Sequence, residues 1–325
     1  MDTKKFRGIF PALYACYDEN GKVSSDRTKA LTKYLMDKGV QGLYVGGSSG
    51  ECIYLSKEDR KKTLEAVMEA AGGKLVIIAH VACNNTEDSQ ELAAHAESLG
   101  VDAIASIPPI YFHLPEYAVA KYWNDISAAA PNTDFIIYNI PQLAGISLTL
   151  SLLREMKKNP RVIGVKNSSM PVQDIQMFKQ AGGEDYIIFN GPDEQFISGR
   201  VIGAEGVIVF NGPDEQLVSG LAMGAVGGIG GTYGAMPELY LKIFELFSQG
   251  KMEEAREAQN AACRIIYKMC TAHGNMYAVI KEIIRLQGGP DAGGVKAPLA
   301  DLAEADLAIC KETADMIAEA VQKYC

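Results

Sequence analysis

The sequence VIGVKNSS at residues 162–169 contains the pattern on which the fold assignment depends. Its first four residues are apolar or small and rich in β-branched side chains, which is typical of a strand buried in a parallel sheet. Lys166 stands at the downstream end of this run. Burial of an ammonium group is costly and lowers its pKa. A neutral lysine can attack a carbonyl and form a Schiff base, whereas in the alternative interpretation the Lys166 side chain only extends into water.

Short apolar runs of the same kind recur along the chain and alternate with segments of helical spacing. One helical segment, 56–71, begins with Ser56 and has Asp59 three positions later, a pattern typical of a helix N-terminus. Alternating strands and helices indicate βαβ units and a parallel sheet. Eight units within residues 1–236 predict an α/β fold of the (β/α)8 TIM-barrel class. The strand runs are GIFPALYA from Gly8, GLYVGG from Gly42, LVIIAHV from Leu75, AIASIPP from Ala103, FIIYNIP from Phe135, VIGVKN from Val162, YIIFNG from Tyr186 and GGIGGTYG from Gly227.

Residues 237–325 are predicted to form a C-terminal helical extension. Their apolar spacing is helical, with breaks at His273-Gly274 and in the loop QGGPDAGGVKAP, residues 287–298. We expect these helices to pack on the barrel rather than to form an independent domain.

The composition is that of a globular protein, with 48% hydrophobic residues and a net charge of -9. The acidic balance, without a basic cluster, argues against nucleic-acid binding. No apolar run reaches the roughly 18 residues that a membrane span needs, and no signal-peptide pattern is present, so we expect a cytoplasmic location without membrane contact. The seven cysteines include no CxxC pair and the four histidines lack metal-ligand spacing, so we expect reduced thiols and no metal.

Polar residues gather where the predicted strands end. In (β/α)8 barrels the active site lies at the carboxyl ends of the strands. Here these ends supply glycine-rich turns, hydroxyl groups, a phenol and the Lys166 amine, a set suited to carbonyl chemistry. The segments are GGSSGE (46–51), SIPP (106–109), YNIP (138–141), KNSS (166–169), NGPDE (190–194) and GGTYG (230–234).

Four motifs, in order and at suitable spacing, give the whole chain a resemblance to a known family. They are GGSSGE, YNIP, VIGVKNSS and GGIGGTYG. With them the chain resembles the N-acetylneuraminate lyases, pyruvate-dependent aldolases of the dihydrodipicolinate synthase superfamily. The resemblance implies that Lys166 forms a Schiff base and that Tyr138 relays protons. It also implies that Ser48 and Ser49 bind the carboxylate of pyruvate, and that Ser168 and the NGPDE segment contact sugar hydroxyls.

The residue types are compatible with these roles, although each has a structural alternative. Ser48 and Ser49 between glycines can present hydroxyl and backbone N–H donors to a carboxylate, or can form a capping turn before the helix at Ser56. Tyr138 can shuttle a proton, or can be a core tyrosine with a satisfied hydroxyl. Ser168 follows Lys166 by two residues, so in an extended strand both side chains point to the same face.

The implied reaction is the reversible cleavage of N-acetylneuraminate to N-acetylmannosamine and pyruvate, so a sugar acid and pyruvate are the expected small-molecule partners. It requires the covalent Schiff base and no other cofactor. The dihydrodipicolinate synthase branch carries an arginine after its YN-x-P segment, but QLAGISLT at residues 142–149 contains none. This favours an uncharged polyhydroxylated aldehyde over the alternative, another pyruvate-dependent aldolase of the superfamily. Gly231 stands where serine is common, so a hydroxyl contact is missing or replaced by backbone.

The resemblance also implies a homo-tetramer. Tyr111, in the segment PPIYFHLP, is then expected to cross a subunit boundary and join the proton relay.

Residues 189–209 recur as residues 210–230, with thirteen of twenty-one positions identical. The first copy has the family's usual spacing from Lys166, and the second has it from GGTYG. Because an eight-strand barrel has room for one copy, two sets of sugar-binding residues are possible. Gly191, Asp193 and Glu194 belong to the first copy, which is slightly preferred because YIIF at 186–189 makes a complete strand; the second copy would then be extruded or displace a neighbouring strand. The equivalent residues of the second copy are Gly212, Asp214 and Glu215.

The repeat leaves a non-enzymatic alternative open, in which distorted strands leave a folded but inactive barrel scaffold. The glycine-rich AVGGIGGTYG also suggests phosphate binding, but it lacks the full GxGxxG spacing.

Overall fold

The structure is a computed structural model that describes residues 3–169, 177–178, 181, 187–190, 209–211, 214–222 and 225–325. Gly191, Asp193, Glu194 and Gly212 lie outside the described residues. Within them there are nine strands, and each of the eight predicted runs contains one. The strands are β1 Gly8–Pro11, β2 Gly42–Val45, β3 Val76–His80, β4 Ala103–Ser106, β5 Asp134–Asn139, β6 Val162–Asn167, β7 Ile187–Asn190, β8 Val209–Asn211 and β9 Ala225–Gly230.

Eleven α-helices occur in the same described ranges. They are α1 Ser25–Asp37, α2 Lys57–Ala71, α3 Thr86–Ser98, α4 Glu116–Ala129, α5 Pro141–Ala144, α6 Leu150–Met156, α7 Leu217–Ala222, α8 Pro237–Ser248, α9 Met252–Met269, α10 Met276–Leu286 and α11 Asp306–Tyr324. The predicted N-terminus of α2 is confirmed, because the Ser56 hydroxyl accepts a hydrogen bond from Asp59 N at 3.1 Å. Helix α2 ends at Gly72, whose positive φ of 54° suits a residue without a Cβ atom.

The chain divides into two compact units. The first contains residues up to 7 and residues 76–228. Its strands are parallel and hydrogen-bonded in chain order from β3 to β9. The register places Tyr138 opposite Lys166, and Asn139 opposite Asn167. The carboxyl ends of β5 and β6 therefore meet at one edge of the sheet.

Among the described strands, β8 is the one that the eight predicted runs did not include. It leads into the second copy of the repeat and lies between β7 and β9. The expectation that only one copy contributes a strand is wrong, because β7 ends in the first two residues of the first copy and β8 ends in the first two residues of the second. Asn190 pairs with Asn211, which continues the pairing of Asn167 with Asn190. Strand β8 pairs in parallel with β7 on one side and with β9 on the other, so the sheet continues through the repeat.

The second unit contains residues 8–75 and 229–325. Strands β1 and β2 run parallel here, with Leu13 N donating to Tyr44 O at 2.9 Å. Helix α8 contacts β1, and α9, α10 and α11 contact one another. The C-terminal helices thus form one compact unit with the first two strands.

No helix in the described ranges is long and apolar enough to cross a membrane.

Candidate active site

Lys166 and Tyr138 lie side by side at the carboxyl ends of β6 and β5. The Lys166 Nζ atom is 3.9 Å from the centroid of the Tyr138 ring. Lys166 is 7% exposed and Tyr138 is 5% exposed. The alternative interpretation, in which Lys166 extends into water, is therefore wrong. The parallel register explains this contact, since neighbouring residues at matched positions present their side chains on the same face of the sheet.

Burial changes the chemistry of the Lys166 amine. It lowers the pKa of Lys166 from 10.5 to about 7, and the carboxylate of Asp214 partly opposes this effect. Desolvation disfavours the ammonium form, while a nearby negative charge favours it. A substantial fraction of the amine is therefore neutral at physiological pH, the form that attacks a carbonyl.

Asp214 is brought to this amine by the second copy of the repeat. It begins the short 3-10 helix Asp214–Gln216, between β8 and α7, and it is buried. Glu215 beside it is half-buried. Among the described residues, these two are the predicted sugar-binding acids.

Two asparagines, which the sequence analysis did not select, join the ends of β5 and β6. Asn139 Nδ2 donates to Asn167 Oδ1 at 2.5 Å, and Asn167 Nδ2 donates to Ser169 Oγ at 2.9 Å. Asn139 Oδ1 accepts from Leu148 N at 2.9 Å. Both asparagines are buried. Their position directly after Tyr138 and Lys166 was a usable signal, because matched register predicts that they meet.

The residues after Lys166 are also fixed. Ser168 N donates to Asn139 O at 2.6 Å, and Gln142 Nε2 donates to Ser168 O at 2.6 Å. Strand β6 ends at Asn167, and Ser168 lies buried just beyond it. On the other side of Tyr138, the His80 ring lies edge-on with its centroid 6.1 Å away.

The GGSSGE turn, residues 46–51, belongs to the second unit. Ser48 is exposed and Ser49 is buried. The capping alternative for this turn is wrong, because Ser56 caps helix α2. Gly231 lies beside Ser49, since a Cβ atom added to Gly231 would be 3.6 Å from Ser49 Oγ.

Tyr111 lies on the loop between β4 and α4. It is 87% exposed and has a positive φ of 86°. Its ring contacts Phe112, with centroids 5.0 Å apart. Among the described residues, no group of three or more His, Cys, Asp or Glu side chains has the arrangement of a metal site.

A model of the dihydrodipicolinate synthetase family matches residues 5–209 and 206–316. The chain belongs to this family. The two matched segments meet where the first copy of the repeat ends, as expected when one unit of the family occurs twice.

Individual relatives resemble the chain over nearly its whole length. A Mediterraneibacter gnavus protein named N-acetylneuraminate lyase is 64% identical over 323 residues, covering 99% of this chain and 96% of the relative. The wild-type sialic acid aldolase of Ruminococcus gnavus superposes with a TM-score of 0.89 at 64% identity, covering 99% of this chain and 100% of that structure. A catalytic lysine mutant of the same aldolase superposes with a TM-score of 0.90 at 63% identity, covering 100% and 99%. The predicted fold class, a (β/α)8 TIM barrel with C-terminal helices, is confirmed by this likeness, and β8 is the strand that the repeat adds to the eight predicted.

Proposed function

We propose that the chain is a class I aldolase that reversibly cleaves N-acetylneuraminate to N-acetylmannosamine and pyruvate. The observation that carries this proposal is the buried Lys166 amine 3.9 Å from the Tyr138 ring, with a pKa lowered to about 7. The relatives named N-acetylneuraminate lyase and sialic acid aldolase support the substrate, and one of them is described as a catalytic lysine mutant. They favour this substrate over that of a dihydrodipicolinate synthase.

The reaction begins when the neutral Lys166 amine attacks the C2 ketone of the open-chain sugar acid. The carbinolamine loses water as Tyr138 donates its phenolic proton to the departing hydroxyl. This leaves a protonated imine on Lys166 and a phenolate on Tyr138. The imine then acts as an electron sink for the neighbouring C3–C4 bond.

Cleavage follows when the Tyr138 phenolate accepts the proton of the C4 hydroxyl. The C4 oxygen becomes the aldehyde of N-acetylmannosamine, and the C3–C4 electron pair moves to the imine, which becomes an enamine. Tyr138 then protonates C3, which restores the protonated imine and the phenolate. Water hydrolyses this imine to pyruvate and the neutral Lys166 amine, and the proton released returns to the Tyr138 phenolate. The only covalent partner that the reaction requires of the protein is Lys166 itself.

The carboxylate of the keto acid is assigned to the Ser48–Ser49 turn. Hydroxyl and backbone N–H donors can hold an anion without a formal positive charge in the turn itself. Gly231, beside Ser49, lines the same position. Ser168 contributes its hydroxyl on the sugar side.

The sugar hydroxyls are assigned to Asp214 and Glu215 of the second copy. This choice reverses the preference drawn from the sequence, and it rests on the effect of Asp214 on the Lys166 pKa. A buried carboxylate that influences the amine electrostatically lies on the side of the strand ends where a substrate attached to Lys166 would be bound, and its oxygens are hydrogen-bond acceptors. Gly191, Asp193 and Glu194 of the first copy are then not assigned to the sugar hydroxyls.

Matched variants in the two copies test this assignment. Asp214→Asn is expected to raise the KM for N-acetylneuraminate by about tenfold, the cost of one charge-assisted hydrogen bond. Asp193→Asn, its counterpart in the first copy, is expected to leave the KM within about twofold. The reverse order of effects would return the site to the first copy.

The assembly is proposed to be a homo-tetramer in the cytoplasm. Tyr111, exposed and in a left-handed conformation, is then placed to enter the site of a neighbouring subunit. All seven cysteines are thiols in the structure, which suits a reducing compartment. Sedimentation of the protein and of Tyr111→Ala, together with turnover, separates a role in assembly from a role in proton relay.

The activity itself is tested by mixing N-acetylneuraminate with the protein and detecting pyruvate by a coupled assay. Turnover by the parent chain and none by Lys166→Ala is expected. A folded parent chain without turnover would instead support the inactive-scaffold alternative.

A further inference from the structure

A buried ion pair lies next to the GGSSGE turn. Lys281 Nζ is 2.9 Å from Glu51 Oε1, and the two side chains are 1% and 0% exposed. Lys281 also donates to Gly294 O at 2.6 Å. The pair links the last residue of the turn to helix α10 and to the loop that follows it, far away in the sequence.

The second oxygen of the same carboxylate is held as firmly. Glu51 Oε2 accepts from the Tyr17 hydroxyl at 2.9 Å and from Lys296 N at 2.7 Å. Lys281 Nζ additionally lies 4.9 Å from the centroid of the Tyr17 ring. Three donors therefore fix the Glu51 carboxylate, and Lys281 is the one that brings a full positive charge through its side chain.

The backbone couples Glu51 to the serine pair. Glu51 has a positive φ of 53°, which is uncommon for a residue with a Cβ atom. Glu51 N donates to Ser48 O at 3.0 Å, and Gly50 N donates to Gly47 O at 3.0 Å. The anchored carboxylate thus maintains the conformation of the turn that contains Ser48 and Ser49.

The location of this carboxylate also creates an electrostatic problem. The proposed ligand of the turn is itself a carboxylate, and an unneutralised Glu51 two residues from Ser49 would repel it. Like charges repel strongly where water is excluded. A buried lysine in contact with Glu51 removes this repulsion.

We infer that Lys281 is a positioning residue for keto-acid binding, because it neutralises Glu51 and holds the Ser48–Ser49 turn in the form that accepts an anion. The inference rests on the proposed function and deepens it. It makes a segment of the C-terminal extension, residues 281–296, part of the control of substrate affinity.

Two isosteric variants separate charge from geometry. In Lys281→Met the Glu51 carboxylate loses its cation, so the KM for pyruvate in the condensation direction is expected to rise by about tenfold, with kcat within about threefold. In Glu51→Gln the negative charge is removed while Lys281 stays, so the KM is expected to stay within about threefold or to fall. The double variant is expected to recover most of the affinity that Lys281→Met loses.

An uncharged ligand provides a second readout. Borohydride trapping of methyl pyruvate, which has no carboxylate, is expected to be equal in Lys281→Met and the parent chain. Asp306→Asn is the matched control, because Asp306 is buried in the same extension and accepts from Gly274 N at 3.0 Å and Ala303 N at 2.9 Å without touching Glu51. It is expected to lower the melting temperature and leave the KM unchanged.

The outcomes are distinguishable. An active parent chain with an unchanged KM in Lys281→Met, or an equal KM rise in Glu51→Gln, would overturn the inference and leave the activity intact. If Lys281→Met does not fold, Glu51→Gln decides, because a KM that rises by more than about threefold in Glu51→Gln would overturn the inference. A parent chain that neither turns over nor traps pyruvate would refute the proposed function itself.

Discussion

Because the Lys166 amine is buried, we expect that replacing Lys166 by an uncharged residue stabilises the protein, and that the size of this stabilisation depends on pH. Below about pH 7 the amine is protonated in both the folded and the unfolded chain, and the folded chain bears the cost of a buried charge. Between about pH 7 and the ordinary pKa of 10.5, the unfolded chain binds more protons than the folded one. The stability of the parent chain therefore rises with pH across this interval.

The size of the effect follows from the pKa values. The interval from 10.5 to about 7 corresponds to about 5 kcal/mol, because each pKa unit is worth about 1.4 kcal/mol. Lys166→Met keeps the length of the side chain and removes the charge. Its stability advantage over the parent chain should therefore fall by about 3 kcal/mol between about pH 6.5 and about pH 9.5.

Urea titrations at several pH values measure this difference. The single tryptophan, Trp123, is buried on α4 and reports unfolding by fluorescence. Lys311→Met, at an exposed position on α11, is the control and should show a difference from the parent that does not vary with pH. An advantage of Lys166→Met that is constant, or that grows as pH rises, would refute the conclusion that burial keeps this amine neutral.

Three further outcomes are expected. In the parent chain the midpoint of the pH–rate profile for pyruvate trapping is expected near 7. Because Asp214 raises the Lys166 pKa, Asp214→Asn should move this midpoint to lower pH, and an unchanged midpoint would show that Asp214 does not influence the amine. Asn167→Ala should lower the free energy of unfolding by about 2 kcal/mol in urea titrations, since it removes the buried hydrogen bonds that join Asn167 to the Asn139 amide and to the Ser169 hydroxyl, and a loss under about 0.5 kcal/mol would contradict that role. Gly231→Ser should fold, because its Cβ atom meets Ser49 Oγ at an ordinary 3.6 Å, and should lower the KM for pyruvate about threefold by adding a hydroxyl; a raised KM would place Gly231 outside the carboxylate position.

The strand pattern and the position of Lys166 could be predicted because they depend on local sequence. The β-branched runs at regular intervals predicted eight of the nine strands found in the described residues. The place of Lys166 at the end of one such run left two interpretations open, burial or extension into water, and the polar residues at the other strand ends favoured a role in chemistry. The contact between Asn139 and Asn167 could also have been predicted, because they directly follow Tyr138 and Lys166 on neighbouring strands.

Other features depend on the three-dimensional structure. The strand Val209–Asn211 is only three residues long, and its pairing with Asn190 follows from the register of the whole sheet. Glu51 and Lys281 are separated by 230 positions, and no local pattern indicates that they meet. The left-handed conformation of Glu51 could not be predicted either, because glycine is the residue expected at positions with a positive φ.

Mass spectrometry after treatment with pyruvate and borohydride tests most directly whether Lys166 is the nucleophile. The parent chain is expected to carry one reduced pyruvate adduct, located on the peptide that contains Lys166, and Lys166→Ala is expected to carry none. An adduct that persists in Lys166→Ala, or that maps to another lysine in the parent chain, would contradict the Schiff-base assignment.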